Sequence, residues 1–386
     1  MSVTLEASSC AALPAGSAAG RRPRAPDRER PEAFTRAFDA KTLFYDCFRH
    51  ADGQRVLLVG PPPYGIDYRG ARFVARPSGQ MVRVRSHASL STMITELAEV
   101  PSGTTAIEVA IEGQRLELPV QPNACDRFAG RRLLFTINRN NELGWIREWA
   151  EYHARAHGTD AVILVDNGST AYGPGELHET LAAVPGLAEI AVLSWPQSFG
   201  PIDPAVRKDP YWARFLQIGS MSVVLRRYGE KAFGLLDCDI DELAGTRSGR
   251  SIYDLAHESR GGLVVFRGTW IEATGGARHR DFTEKLSDPE AARSPQRKWC
   301  LDPSRPWVRK LSVHPYWHWI QGRGLFSKSM PDDATYWHFK GINTNWKQQR
   351  TAAPNGTTVQ DGELVVALGR AGMTAEMTAT PPTQLR

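Results

Sequence analysis

Between residues 131 and 270, continuous apolar runs of strand length alternate with amphipathic helical patterns. Runs without polar interruption and rich in β-branched residues are typical of strands that are buried on both faces of a parallel sheet. Strands that alternate with helices indicate an α/β layer. We therefore predict a Rossmann-like α/β fold whose sheet is mainly parallel and is flanked by helices. The predicted strands lie within residues 132–137, 160–170, 187–195, 233–242 and 261–268.

Two segments between these runs have the spacing of amphipathic helices. In residues 142–157, a stripe that includes Trp149 and His153 recurs every three or four positions, and Gly158 is expected to end the helix. Residues 211–228 show a similar pattern. Because ligands of such sheets bind at the carboxyl ends of the strands, the polar residues that follow each run are the candidates for a functional site.

The rest of the chain divides by composition into further parts. Residues 1–35 are rich in Ala, Pro, Gly and Arg, which predicts a disordered lead. Residues 36–127 contain short alternating runs, which predict a small β-rich domain with a hairpin turn at residues 112–114. Residues 128–350 then form the α/β domain, and residues 351–386 form a C-terminal tail that is polar apart from ELVVALG.

The composition of the 386 residues argues against several classes of protein. The formal net charge of +5 suits a protein that binds anionic ligands, but it is too small to indicate a nucleic-acid-binding protein. No apolar run reaches the length of about 18 residues that a transmembrane helix needs, and the N-terminus lacks the order of a secretory signal. Five cysteines without CxxC spacing indicate reduced thiols in a cytoplasmic protein. Peripheral contact with a membrane would have to come from the basic excess or from the Arg-rich stretch at residues 21–31, for which a solubilising tail is the preferred interpretation.

An acidic motif, DCDIDE, follows the apolar run that ends at Leu236. Strand alternation would place Asp237, Asp239 and Asp241 on one side if the strand continues. Three carboxylates on one face repel one another, and Mn²⁺ or Mg²⁺ would relieve the repulsion because such ions favour carboxylate oxygens. The motif therefore predicts a metal site that would also bind the phosphates of a nucleotide. The alternative is an exposed acidic strand end that caps the next helix.

Polar residues also follow the first two predicted strands. The first strand runs into NRNNE, which contains Asn138, Arg139 and Glu142, and the second runs into DNGST, which contains Asp166 and Asn167. Side chains of these types can hydrogen-bond a ribose or the edge of a base. Together with the acidic motif, these are three polar ends on neighbouring parallel strands, and they predict a nucleotide site. A single such residue could simply cap a helix.

The C-terminal third is rich in tryptophan, with seven of the eleven Trp residues between Trp270 and Trp346. The stretch SVHPYWHW carries His314 and His318 among aromatic residues and is a candidate wall for the stacking of a sugar ring. The alternative is an aromatic core cluster. Lys298 is a candidate for a phosphate contact.

Several of these segments resemble the catalytic domain of the family-2-like glycosyltransferases with a GT-A fold, close to glycosyltransferase family 92. The segment NELGWIREWAEYHARAHGTDAVILVDNGST (residues 141–170) is similar to the pattern that opens that domain, and LLDCDIDEL (235–243) is similar to its DxDEF metal motif. VVFRGTW (264–270) resembles the strand on the acceptor side, and TYWHFKGINTNWK (335–347) resembles the HYR-type segment near the end of the domain. The resemblance covers roughly residues 130–350.

The resemblance implies a metal-dependent transfer of a sugar, with inversion, from a nucleotide-sugar donor, expected to be a UDP-sugar, to a hydroxyl of a glycan or glycoconjugate. It implies that Asp239 and Asp241 bind Mn²⁺ or Mg²⁺, with Glu242 beside them and Asp237 as a further acid. Either register of the motif remains open. His338 matches a histidine that closes over the diphosphate or the metal.

The same resemblance implies a set of donor-binding residues. Asp166 and Glu142 match positions that contact the nucleoside, and Lys340 stands where the HYR pattern has arginine. Lysine would act there as a point charge without the bidentate fork of arginine. Ala171 and Leu243 are further departures from the pattern, which leave the donor preference open. The expected donor-binding residues are Asn138, Arg139, Glu142, Asp166, Asn167, Asp237, His338 and Lys340.

The acceptor hydroxyl must lose a proton as it attacks the anomeric carbon, and a carboxylate can accept that proton. Glu272, which follows the FRGTW strand, and Asp281 are the two candidates for this catalytic base. For Glu272 the alternative is a surface acid that pairs with an arginine.

Two other functions compete with sugar transfer. A nucleotidyltransferase usually has a Gly-rich, basic phosphate loop after the first strand, where this chain has NRNNELG. A non-catalytic carbohydrate- or nucleotide-binding protein, in which the acids would be a relic, would show no metal-dependent turnover.

Overall fold

The computed structural model describes residues 5–325, 327–344 and 352–373. Short strands dominate the N-terminal part of the chain, and strands and helices alternate in the part that follows. The first strands are β1 (Leu5–Glu6), β2 (Ala11–Ala12), β3 (Thr42–Phe44), β4 (Asp46–Arg49), β5 (Val56–Gly60), β6 (Arg72–Arg76), β7 (Gln80–Met81), β8 (Arg83–Ala88), β9 (Met93–Ala98), β10 (Ala106–Ile111) and β11 (Gln114–Pro119).

The later strands are β12 (Arg132–Asn138), β13 (Ala161–Asp166), β14 (Glu189–Ser194), β15 (Gly234–Asp237), β16 (Glu242–Thr246), β17 (Leu263–Ile271), β18 (Glu284–Leu286), β19 (Arg293–Leu301), β20 (His314–Tyr316), β21 (Trp319–Gln321), β22 (Lys328–Ser329), β23 (Ala334–Phe339) and β24 (Thr358–Gln360). The helices are α1 (Glu32–Ala37), α2 (Leu143–His157), α3 (Pro174–Ala182), α4 (Phe215–Val223), α5 (Ile252–Glu258), α6 (Pro289–Ala292) and α7 (Gly362–Arg370). A π-helical turn spans Val224–Gly229, and a 3₁₀ turn spans His279–Asp281.

The predicted α/β layer is built on a ten-stranded sheet. Its strands run in the order β1-β14-β13-β12-β15-β19-β17-β23-β16, with β22 beside β17. The strands from β1 to β15 in this order are parallel, and β17 is parallel to β23 and β22. β19 and β16 pair antiparallel with their neighbours. The structure therefore confirms the prediction of a mainly parallel, Rossmann-like sheet with flanking helices.

The helix predicted over residues 142–157 is α2, and its apolar stripe is buried as expected. Trp149 and His153 are inaccessible to solvent. Gly158 ends the helix with φ 66°, a left-handed conformation that glycine adopts without steric cost. The agreement follows because a helix packed on a sheet must turn one continuous stripe toward it.

Two predicted elements end or begin elsewhere than the pattern indicates. The helix predicted over residues 211–228 begins only at Phe215, and beyond Val223 it continues as the π-helical turn. The strand predicted over residues 233–242 ends at Asp237, so the acidic motif lies in a turn between β15 and β16. The antiparallel β19 was not predicted, because its first half is polar and largely accessible to solvent.

Residues 36–127 contain two four-stranded antiparallel sheets, β4-β5-β9-β8 and β11-β10-β6-β7, which agrees with their predicted β-rich character. Glu112 and Gly113, with φ 51° and 72°, form the predicted hairpin turn between β10 and β11. The ring of Tyr45 stacks on that of Trp195 with centroids 5.3 Å apart. This part therefore shares a core with the α/β layer, and the division of the chain into domains stays a prediction.

The N-terminal residues differ from the predicted disordered lead. β1 adds a parallel strand beside β14, and α1 buries Phe34. The buried guanidinium of Arg21 donates hydrogen bonds to three backbone carbonyl oxygens at 2.6 to 2.9 Å. Arg30 forms an ion pair with Asp203 at 3.0 Å. The arginines of this segment therefore attach it to the rest of the protein, where the composition predicted a solvated tail.

The ELVVALG segment of the predicted tail also packs on the fold. It forms α7, whose Leu364 and Leu368 are buried in the same core cluster as the stripe of α2. Across residues 5–325, 327–344 and 352–373, none of the helices has both the length and the apolarity required to cross a membrane.

Candidate active site

A cavity of about 380 Å³ opens beyond the carboxyl ends of β12 and β15. This is the position at which α/β sheets bind ligands. One part of its wall comes from residues 237–242, which we call the acidic loop, and from His338 on β23. A second part is aromatic. The aromatic residues of the wall are Tyr211, Trp212, Tyr316, Trp317 and Trp319.

The acidic loop is a closed turn. The backbone N–H of Asp239 donates to Oε2 of Glu242 at 2.9 Å, and the N–H of Glu242 donates to the carbonyl of Asp239 at 3.0 Å. Asp237 and Glu242 are buried, whereas Asp239 and Asp241 are more accessible and line the cavity. The turn, and not strand alternation, therefore decides which of these carboxylates faces a ligand.

Lys298 on β19 provides a cation inside the acidic loop. Its Nζ atom lies 2.9 Å from Oε2 of Glu242, 3.0 Å from Oδ2 of Asp239 and 3.8 Å from Oδ2 of Asp237. The lysine side chain is inaccessible to solvent. The predicted repulsion among the carboxylates is thus relieved in part by a residue of the chain itself, for which the sequence suggested a phosphate contact.

Burial and this lysine together set the pKa values of the acidic loop. Burial raises the pKa of Asp237 well above its usual range, although Lys298 opposes the shift. Burial also raises the pKa of Glu242, again against Lys298. For Lys298, burial favours the neutral amine, but Asp239, Glu242 and Asp237 outweigh it and raise its pKa well above the ordinary value. Lys298 therefore carries its charge at neutral pH.

His338 lies beside the acidic loop, as the resemblance implies for a residue near the metal or the diphosphate. Its Nε2 atom is 3.1 Å from Oδ2 of Asp241, and its Nδ1 atom is 3.7 Å from Oε1 of Glu242. The imidazole stacks on the ring of Trp270, with centroids 4.0 Å apart and an interplanar angle of 22°. β23 pairs with both β16 and β17, which brings His338 and Trp270 to this place.

Asn138 and Asp166, at the ends of β12 and β13, are hydrogen-bonded to each other. Nδ2 of Asn138 donates to Oδ1 of Asp166 at 2.8 Å, and the hydroxyl of Ser169 donates to the same oxygen at 2.5 Å. Both residues are buried. Asn141, which donates to Oδ1 of Asn138 at 2.9 Å, lines the cavity. The predicted polar ends therefore meet in one network at the edge of the cavity.

The other predicted donor residues lie in different surroundings. The amide of Asn167 donates to the carbonyls of Trp195 and Gln197 at 2.7 and 2.8 Å, which is a structural role. Glu142 and Arg139 are exposed near the start of α2. Neither side chain is among the described residues of the cavity wall.

The two predicted catalytic bases are engaged elsewhere. Glu272 is inaccessible to solvent, and its carboxylate accepts hydrogen bonds from Nζ of Lys340 at 2.7 and 2.9 Å. Asp281 accepts from the backbone N–H groups of Ala277 and Arg278 at 3.1 and 2.9 Å and so closes a turn. Among the described residues that line the cavity, neither carboxylate occurs. The geometry therefore does not support a catalytic role for Glu272 or Asp281, or a phosphate contact by Lys340.

The aromatic stretch around residue 316 contains both core residues and residues of the cavity wall, so each of the two predicted alternatives applies to part of it. His314 is buried, and burial lowers its pKa to about 3, so it belongs to the core. His318 lines the cavity, with Nδ1 2.9 Å from the carbonyl of Arg297, and burial lowers its pKa to about 3 as well. Trp319 is 49% exposed and stacks on Tyr316 with centroids 4.5 Å apart. Trp319 thus contributes an accessible aromatic surface to the cavity wall.

Several residues of this region were missed by sequence reasoning. Asp209, which precedes α4, lines the cavity. Glu148 is buried on α2, where its spacing from Trp145 and Tyr152 places an acid on the apolar side of the helix. That spacing is a signal that could have been used. His279, which Glu148 contacts, has no comparable signal.

Comparisons with known proteins provide little information about the family. No family model matches this chain, and no curated protein sequence matches it. Solved structures do match. One is the crystal structure of residues 1–349 of TarS from S. aureus, with 12% sequence identity and a TM-score of 0.32. This match covers 54% of the present chain and 60% of that one, less than two thirds of its length.

Proposed function

We propose that this protein is a glycosyltransferase that moves a sugar from a nucleotide-sugar donor to a hydroxyl of a glycan or glycoconjugate. The observation that carries the proposal is that one cavity combines two accessible carboxylates, Asp239 and Asp241, with an exposed tryptophan face, Trp319. Carboxylates at the end of a parallel strand suit a metal-bound diphosphate. The flat faces of tryptophan and tyrosine suit an apolar face of a sugar ring.

The donor set of the acidic loop fits Mn²⁺ or Mg²⁺. Asp239 and Asp241 would hold the ion through carboxylate oxygens, and the imidazole of His338 lies beside Asp241. No three His, Cys, Asp or Glu side chains within the described ranges converge on a ready-made metal cage. Mg²⁺ usually binds one or two carboxylates, several waters and the phosphates of a substrate, so a cage is not required. The bound ion would neutralise charge on the diphosphate.

The charge of the acidic loop supports the same proposal. Burial disfavours the charged forms of Asp237 and Glu242, but the accessible carboxylates Asp239 and Asp241 still outnumber the single ammonium of Lys298 beside the cavity. A nucleoside diphosphate is itself an anion, and like charges at short range disfavour binding. A cation in addition to Lys298 would therefore favour donor binding beside Asp239 and Asp241, and the cavity wall also contains Arg214.

Other residues of the cavity would bind the nucleoside, orient the sugar and accept a proton. Asn141, which is held by the hydrogen-bonded pair of Asn138 and Asp166, would contact the ribose or the base at the edge of the cavity. The aromatic wall would orient the sugar ring and exclude water from it. Asp209, a carboxylate of the cavity wall outside the acidic loop, is our candidate for the base that accepts the proton of the acceptor hydroxyl. A UDP donor and inversion rest on the resemblance alone and remain part of the proposal.

The proposal is tested by the release of nucleoside diphosphate from UDP-, GDP-, ADP- and dTDP-sugars, with Mn²⁺ and with EDTA. The wild type is compared with Asp239→Ala and with Glu117→Ala, a matched change of an exposed acid on β11. We expect one donor to release its nucleoside diphosphate in the presence of Mn²⁺. The reaction should be lost in EDTA and in Asp239→Ala, and Glu117→Ala should retain it.

Two other outcomes have clear meanings. A thermal shift with one nucleotide and Mn²⁺, without turnover of any donor or candidate acceptor, would favour the non-catalytic binding protein. No turnover and no thermal shift with any nucleotide would contradict a donor site in this cavity.

A further inference from the structure

A hydrogen-bonded chain connects α2 to the middle of the acidic loop. The carboxylate of Glu148 accepts from the backbone N–H of His279 at 2.7 Å, and its Oε2 atom lies 3.3 Å from Nδ1 of the same histidine. Nε2 of His279 lies 2.7 Å from the carbonyl oxygen of Ile240. Glu148 and His279 are both buried, with 3% and 0% of their surface exposed.

The chemistry of these atoms fixes the direction of the bond to Ile240. A carbonyl oxygen can only accept, so Nε2 of His279 must carry the proton that reaches Ile240. Glu148 is held in turn by the guanidinium of Arg280, which donates to its other oxygen. Trp145, one turn earlier on α2, donates from Nε1 to the carbonyl of Ala277 at 2.7 Å. The segment 277–280 that carries the histidine is therefore tied to α2 at two residues, Trp145 and Glu148.

Ile240 is the residue between Asp239 and Asp241. The orientation of its peptide plane determines where the two neighbouring carboxylates point, because each is only one residue away. We propose that Glu148 and His279 are positioning residues, which hold the carbonyl of Ile240 and thereby aim Asp239 and Asp241 into the cavity. The role of Glu148 and His279 in donor binding rests on the proposed function. Their role in fixing the conformation of the acidic loop does not.

The test compares His279→Leu, which lacks a donor, with His279→Gln, whose amide can still donate to Ile240. The matched control is His157→Leu, since His157 is equally buried and its Nε2 lies 2.9 Å from the carbonyl of Ala244, beyond the acidic loop. The first measurement is hydrogen–deuterium exchange of a peptide that covers residues 236–244. Its amides at Asp239 and Glu242 are hydrogen-bonded within the loop.

We expect His279→Leu to speed exchange in this peptide, while His279→Gln stays close to the wild type. The second measurement is the Mn²⁺ concentration that half-saturates binding of UDP. We expect it to rise about 10- to 100-fold in His279→Leu, the range found when residues behind metal ligands are removed. His157→Leu should lower the thermal stability without this change in the Mn²⁺ requirement.

Unchanged exchange in His279→Leu, or equal effects of His279→Leu and His157→Leu on the Mn²⁺ requirement, would overturn the proposal. If the wild type binds no nucleotide, the proposed function fails, but faster exchange in His279→Leu would still support the hold on the loop. If His279→Leu does not fold, Glu148→Gln replaces it. Exchange in the loop should then rise, and no rise would overturn the proposal.

Discussion

The ammonium nitrogen of Lys340 lies 2.7 Å from Oε1 and 2.9 Å from Oε2 of Glu272, so the two residues form an ion pair with each other. Sequence reasoning had assigned the lysine to the leaving diphosphate and the glutamate to the acceptor hydroxyl. The pair instead joins the ends of β17 and β23, where Lys340 N–H also donates to the carbonyl of Ile271 at 2.9 Å.

A structural role for this pair predicts a stability effect of Glu272→Gln with little effect on turnover. Loss of a charge-assisted, buried hydrogen bond should lower the free energy of unfolding by about 1–3 kcal/mol. Urea unfolding and donor turnover measure the two quantities on the same variant. Lys340→Met serves as the matched change of the partner. Turnover that collapses while stability stays at the wild-type value would return Glu272 to the list of candidate bases.

Lys298→Met should be severely destabilising. The change leaves Asp237 and Glu242 buried without their cation, and removal of one partner of a buried ion pair typically costs about 3–5 kcal/mol. The measurement is the midpoint of urea unfolding, with Lys298→Arg as a control that keeps the charge. A stability of Lys298→Met equal to that of the wild type would show that the carboxylates do not depend on this lysine.

The stability should also fall as the pH is lowered from about 6.5, because His153 is buried in its neutral form. Burial, chiefly, lowers its pKa to about 3. Its Nε2 atom accepts a hydrogen bond from the N–H of Ala244 at 3.2 Å, which requires an unprotonated nitrogen. The unfolded chain binds a proton there below pH 6.5 or so, while the folded protein does not until about pH 3.

This difference in proton binding lowers the free energy of unfolding by up to about 1.4 kcal/mol per pH unit. Urea unfolding at several pH values between neutral and mildly acidic conditions measures the slope. His153→Gln, which cannot titrate, should give a shallower slope than the wild type. Equal slopes in the two proteins would be inconsistent with a neutral buried His153.

Trp319→Ala should weaken ligand binding and leave stability nearly unchanged. The indole is half exposed at the cavity, so its removal deletes a stacking face with little loss of core. A stacking contact is worth about 0.5–1.5 kcal/mol, which corresponds to a rise of up to roughly 10-fold in the KM of the acceptor or donor. Met81→Ala, an exposed apolar residue on β7, is the control. An unchanged KM for every substrate would remove Trp319 from the site.

Sequence periodicity by itself determined the elements whose signal is local. A strand buried on both faces must be apolar throughout, and a helix on a sheet must carry one apolar stripe. β12, β13, β14 and α2 were therefore predicted close to their observed bounds. The hairpin at Glu112 and Gly113 was predicted because its turn chemistry lies within a few adjacent residues. The position of Asp239 and Asp241 at a strand end followed from the same local pattern.

The contacts of these residues are set by how distant parts of the chain pack together. Three contacts join residues that are far apart in the sequence. Lys298 and Asp239 are separated by 59 positions, Lys340 and Glu272 by 68, and His338 and Asp241 by 97. These contacts depend on the order of strands in the sheet, and in particular on the position of β19 beside β15. Local periodicity carries no information about strand order, since each strand satisfies its own pattern equally well beside any neighbour. The acids were therefore recognised from the sequence, whereas Lys298 was not recognised as their partner and His338 was placed near them only by the resemblance.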